Sequence, residues 1–228
     1  MSSIICSCVK SVCVTFVGII CMLLVCSSGH AQSKKDILEN GKELKGISFD
    51  ELWQTVREEG REWAGDRLYI SKISSGSFKG FDKHAGLSPV WEVQMIKCNE
   101  TFERKESRKT MLFCRGKLRV LRMVESSITG LEPGLDLHKE VNYRGPAVPF
   151  DRIRITAQNA EREANQFMRY RSSAYDNYTY DLKIDHFSDK PIWTIRKACG
   201  LRGVYEGRCR SGDHWIVKVD GESGDVLN

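Results

Sequence analysis

The chain lacks the signatures that mark the common enzyme classes. No G-x-S-x-G elbow presents a serine nucleophile, and no H-E-x-x-H pair sets two histidines at metal-ligand spacing. Ser74-Ser75-Gly76-Ser77 is a run of small residues and nothing sharper. Its cysteines form no C-x-x-C knuckle, so disulfides are preferred over the alternative of a tetrahedral zinc site. The longest apolar run, Ser11 to Cys26, stops short of the roughly 20 residues a spanning helix needs. Charge is modest as well: +5 over 228 residues, evenly spread, which gives no case for nucleic acid. The chain reads as a non-enzyme with no cofactor and no metal.

The ionisable side chains are consistent with that reading. His84, His138, His186 and His214 stand apart from one another, and Asp185 beside His186 points to the opposite strand face. Asp50 and Glu51 suit the first turn of a helix, where the dipole favours them. Asp181 and Asp185 flank a strand. Asp220, Glu222 and Asp225 cluster near the end but miss the EF-hand pattern, so they are read as turn chemistry. The Arg119–Arg122 and Arg152–Arg154 pairs read as solvated faces.

What is present begins with an export signal. Lys10 is the only charge before the apolar run, and Gly29-His30-Ala31 supplies small residues for cleavage after Ala31. An uncleaved anchor is the alternative, and would be the sole membrane contact. Loss of Lys10 takes the net charge to +4. Five of nine cysteines (Cys6, Cys8, Cys13, Cys21 and Cys26) leave with the signal. The even number that remains predicts disulfides in an exported, periplasmic or secreted protein. Cys98–Cys114 and Cys199–Cys209 are the preferred pairs, because each closes a local loop. Each contributes about 3 kcal/mol by loop entropy.

One short phrase occurs twice. Pro89-Val90-Trp91-Glu92-Val93 returns as Pro191-Ile192-Trp193-Thr194-Ile195, about 100 residues on, and each copy leads into a cysteine pair. Such a period predicts duplicated small domains rather than a solenoid. The segments are a signal over 1–31, a polar lead-in over 32–46, a first repeat over 47–124, a linker over 125–149 and a second repeat over 150–228. Ser48 and Glu51 form a capping box, with Ile47 and Leu52 placed as its hydrophobic staple. Phe49, Leu52, Trp53, Val56, Gly60 and Trp63 then share a helical stripe. Strand patterns follow around Leu68–Ile73, Val90–Ile96, Met111–Cys114 and Leu118–Met123. Gly130, Pro133, Gly134, Gly145, Pro146 and Pro149 punctuate the linker against regular structure. Thr156 caps a second helix carrying Ala157, Ala160, Ala164, Phe167 and Met168, and strands follow at Tyr178–Ile184, Ile192–Ala198 and Trp215–Val219. The predicted fold is α+β, as two repeated units, each one helix packed on a three- or four-stranded antiparallel sheet.

At the C-terminus, Trp215-Ile216-Val217-Lys218-Val219-Asp220 runs through Gly221-Glu222-Ser223-Gly224 into Asp225-Val226-Leu227. A strand ending in V-D, a turn through S-G and a V-L strand resemble the close of PepSY-type domains. Val124-Glu125 with Thr129-Gly130 looks like a worn echo in the first repeat. The resemblance covers about Thr156 to Asn228 well and Ser48 to Gly130 poorly. It implies a small extracytoplasmic module that binds or regulates, with protease inhibition as one setting. Tandem helix-and-sheet units with one disulfide each also look like the architecture of beta-lactamase inhibitor protein, which grips an enzyme with a concave sheet.

Tyr175, Tyr178 and Tyr180 are the candidate binding residues, since tyrosine gives large contact area at low entropic cost. The expectation is an exported binder of an extracytoplasmic protein, in the form of an inhibitor or immunity-type partner of an enzyme. A carrier holding a small ligand between helix and sheet is the alternative.

Overall fold

Ser48 opens the first helix as its cap. Its Oγ accepts the Glu51 N–H at 3.2 Å, and Phe49, Leu52, Val56, Gly60 and Ala64 bury one stripe of α1 (Phe49–Ala64). The computed structural model describes residues 46–76, 86–106, 109–125, 133–167, 177–185 and 188–227. Residues 1–31, read as a signal, nearly all of the lead-in, and Thr129 and Gly130 of the echo lie outside them. No described helix is long and apolar enough to cross a membrane.

After a 3-10 turn, β2 (Leu68–Ser75) pairs with β4 (Val90–Glu106), which pairs in turn with β5 (Lys109–Val124). The short β1 (Ile47–Ser48) and β3 (Leu87–Ser88) form a separate pair. Next come β6 (Gly134–Leu137), β7 (Val141–Pro146) and β8 (Val148–Pro149). The second half contributes α2 (Ala157–Phe167), β9 (Asn177–Ile184), β10 (Pro191–Ala198), the one-turn α3 (Leu201–Tyr205), β11 (His214–Asp220) and β12 (Val226–Leu227).

The two separate helix-on-sheet units predicted by the repeats do not form. One ten-stranded antiparallel sheet runs in the order β12-β11-β10-β9-β2-β4-β5-β6, with β7 and β8 attached to β5 and β2. The physical reason lies at β2. Two lone sheets would each leave the backbone of a first strand unpaired. Instead β9 joins β2 directly, with Lys72 opposite Lys183, Ile73 opposite Leu182 and Ser74 opposite Asp181. The 125–149 segment is no irregular linker either, since it supplies β6, β7 and β8.

β8 takes the rest of that same edge, Tyr69 opposite Pro149 and Ile70 opposite Val148. Because β7 pairs with β5 and runs through Ala147 into β8, the strands β2, β4, β5 and β7–β8 close into a ring. Ile96, Cys98, Cys114 and Ala147 are buried in a cluster of their own there, packed by Tyr69, Leu118 and Tyr143. Gly116 is required at this point: a Cβ on it would come within 2.0 Å of the Lys97 carbonyl oxygen. Outside the ring, the Leu112 N–H reaches Asp189 Oδ2 at 3.0 Å, tying the β4–β5 ribbon to the β9–β10 turn.

A larger core unites the two halves. Phe49 packs edge-on against both matched tryptophans, with ring centroids 5.7 Å from Trp91 and 5.3 Å from Trp193. Both indoles are fully buried and use the same hydrogen bond. Trp91 Nε1 donates to the Ile47 carbonyl at 2.9 Å, and Trp193 Nε1 donates to the Ile155 carbonyl at 2.8 Å. Each acceptor immediately precedes a helix-capping hydroxyl, Ser48 or Thr156. The repeated phrase therefore encodes a strand-to-helix fastening. Trp193→Ala is expected to cost about 3–5 kcal/mol in urea denaturation. Tryptophan fluorescence and far-UV circular dichroism should trace one coincident transition, and a separate transition for either half would contradict the shared core.

Candidate functional site

The tyrosines predicted as a contact surface lie beneath α2. Ala157, Ala160 and Ala164 give that helix a small-residue stripe, so it settles close to the sheet and covers Tyr178 and Tyr180. Glu161 comes in on the same side and is only 7% exposed. A buried carboxylate needs donors. Tyr180 Oη donates to Glu161 Oε2 at 2.7 Å, and the Gly86 N–H reaches the same oxygen at 2.9 Å. Tyr178 Oη donates to Asn165 Oδ1 at 3.1 Å, and its ring stacks on Tyr180 at 6.2 Å. Burial, and then the Glu161 charge, push the Tyr180 hydroxyl far above the ordinary tyrosine range. The cluster pins Gly86 against α2. These two tyrosines are thus interior, and Tyr175 lies outside the described residues.

The space between α1, α2 and the sheet, where a carrier would hold its ligand, is filled by side chains. Phe49, Leu52, Trp91, Tyr180, Leu182 and Trp193 are all essentially inaccessible. A cavity of about 370 Å³ lies elsewhere, between Arg61, Tyr69 and Phe150.

The opposite face of the sheet is the surface left to present. In β10, Trp193 and Ile195 point to the helices, so Ile192, Thr194 and Arg196 point away. Strand register extends that face. Arg196 lies between Thr179 and Ile216, and Thr194 between Asp181 and Lys218. Across the seam, Ser74 joins Asp181 to Glu92, and Lys72 joins Lys183 to Gln94. Glu92 then faces Arg122, which faces Asp136. Lys72 and Lys183 stand directly opposite each other, an arrangement that weakens a sheet. Neither has an ion pair among the described residues. Asp181 and Glu92 occupy the neighbouring row, so the face carries both signs in alternation.

The chain matches no family model, no curated protein and no solved structure. The site therefore rests on its own geometry.

Elsewhere, both cysteine pairs are bonded, with Cα–Cα distances of 5.7 Å for Cys98–Cys114 and 5.9 Å for Cys199–Cys209. Two such bridges suit an oxidising, extracytoplasmic environment. Among the described residues, no three ligand-type side chains gather to hold a metal. His138 lies 3.6 Å from Asp136, and His214 Nδ1 lies 2.9 Å from the Gly212 carbonyl oxygen; His84 and His186 are outside the described residues. Arg119 sits over the Trp63 ring at 4.8 Å, and both reach Glu140. The Trp63 indole, with Arg119, holds that carboxyl below the usual carboxylate range.

At the C-terminal turn, Asp220 Oδ1 accepts the N–H groups of Glu222 and Ser223, while Gly224 takes φ 84°. Burial raises the Asp220 carboxyl, but the Lys190 ammonium at 2.7 Å and those two N–H groups outweigh it and hold the group low. Sequence reasoning passed over the open-face residues. Their signal was the parity of β10, since the tryptophan that anchors the core fixes which neighbours face away.

Tyr180 gives an alkaline prediction. Its folded pKa lies above the unfolded value near 10, so its contribution is complete below about pH 10 and is lost as pH rises further. Tyr180→Phe should flatten the fall in stability between pH 9 and 11 and cost about 1–3 kcal/mol at pH 7, as Glu161 loses its donor. Urea titrations across that range measure both effects. An unchanged alkaline slope would show that Tyr180 ionises normally.

Proposed function

We propose that this chain is an exported, non-enzymatic binding protein, and that it acts as an inhibitor or immunity-type partner of an extracytoplasmic enzyme. The observation that carries this reading is the open face of the continuous sheet. Among the described residues α1 and α2 cover one side, and the other offers a surface of alternating charges around Thr194 and Asp181. A surface of mixed sign favours a folded partner with complementary charges over a polymer of one sign. The disulfides support a role outside the cytoplasm, and the PepSY-like order of the C-terminal strand, turn and strand is in keeping with a regulatory binder.

The test uses oxidised residues 32–228 as bait. The bait is expected to retain one enzyme from extracytoplasmic extract and to lower that enzyme's activity on titration. Thr194→Arg, at the middle of the open face, should weaken the complex at least about tenfold. Arg162→Ala, on the outward side of α2, should leave it intact. Equal binding by both variants would remove the open face from the interface, and failure to retain or inhibit any enzyme would overturn the proposal.

A further inference from the structure

Three aromatic side chains among the described residues are exposed: Phe167, Tyr205 and Trp215. Two of them belong to the segment that leaves β10 and returns as β11. Tyr205 closes α3 with 80% of its surface accessible, while Trp215 and Ile216 open β11 at 38% and 55%. Everywhere else in the described structure the large aromatics are spent on packing, with Phe167 the one exception.

The segment is also fastened. The Cys199–Cys209 bridge closes it at the β10 end. Within it, the Arg208 N–H reaches the Gly203 carbonyl at 2.9 Å. The Cys199 N–H reaches the Asp213 carbonyl at 2.9 Å, and the Arg210 N–H reaches Asp213 Oδ2 at 2.9 Å. A loop held this way loses little conformational freedom on binding. The loop and the strand ends that flank it are basic: over 196–218, Arg196, Lys197, Arg202, Arg208, Arg210 and Lys218 stand against Glu206 and Asp213, which is six cations less two anions, or +4. That equals the net charge of the whole chain after the signal, so the rest of the protein is neutral on balance.

We infer that the disulfide-fastened β10–β11 loop is the anchoring contact of the protein, and that it seats Tyr205 in an acidic cleft on a protein partner. The inference rests on the binding reading above and adds the partner's chemistry. Tyrosine supplies contact area, Arg196 and Arg210 supply charge-assisted hydrogen bonds to carboxylates, and the bridge supplies rigidity. Arg196 and Ile216 stand where this loop meets the open face, which makes the two surfaces continuous.

Photocrosslinking tests the inference. p-Benzoylphenylalanine replaces Tyr205 in one oxidised variant and Thr194 in another. Each is irradiated in extracytoplasmic extract, and the adducts are sequenced by mass spectrometry. The expected result is an adduct from the Tyr205 variant on an acidic protein segment. Binding to that purified protein should weaken about tenfold or more in both Tyr205→Ala and Arg210→Glu, and should weaken with added salt. Adducts from the Thr194 variant alone would overturn the anchoring role of the loop while upholding the open face. No adduct from either variant would overturn both readings. An adduct on a neutral or basic segment would overturn the charge assignment. Sedimentation with phosphatidylglycerol vesicles that Tyr205→Ala abolishes would overturn the protein partner in favour of a lipid surface.

Discussion

The outer edge of β2 is the constraint on which the other features depend. Over Lys72–Ser74 that edge binds β9, and over Tyr69–Ile70 it binds β8. Between them the register against β4 shifts, and Ser71 is the extra residue, its hydroxyl turned to Gln94 Oε1 at 3.1 Å. A bulge of this kind bends and twists a strand locally. Here it lets one edge do two jobs: the residues after it join the second half of the chain, and the residues before it curl into the closed ring. Without the seam there is no continuous open face, and without the ring the Cys98–Cys114 cluster has no cover.

The phrase that occurs twice shows how two segments of one chain can share one interior. Trp91 and Trp193 make the same bond to the residue before a capping hydroxyl, so each half fixes its helix start to the strand that carries the phrase, β4 or β10, in the same manner. Phe49 sits between the two indoles, whereas the matching position in the second half is Ala157. The halves are therefore unequal at their meeting point. One large ring fills the space on behalf of both, and the small Ala157 leaves room for it.

Much of the local structure was legible in the chain. Ser48 and Thr156 cap as their patterns demand, α1 buries the stripe its spacing defines, and the alanines of α2 do the same, whereas Phe167, expected on that stripe, stands exposed; the cysteines pair within their own halves. The C-terminal Asp and Gly form the turn their chemistry suits. What was hidden follows from pairing at a distance. Pro146, Pro149 and Gly145 argue against strands, yet each sits in a short strand at an edge or ring position where a missing donor or side chain is tolerated. Period-two spacing puts Tyr178 and Tyr180 on one face but carries no label saying which face a helix will cover. That was decided by the alanine stripe of α2 and by the Glu161 carboxylate, which only the folded chain brings beside them. The edge-to-edge join was invisible for the same reason, since strand pairing leaves no trace in either strand's own pattern.

Joining the halves also changes how the molecule meets its own copies. Two four-stranded sheets would present four ladder edges to solvent, each a template for another chain. The fused sheet ends instead on β12, two residues long, and on β6, four residues long. Strands so short offer a docking chain few backbone bonds. The seam thus removes two of those four edges, while β11 keeps its outer edge open over His214–Val217, where β12 does not reach.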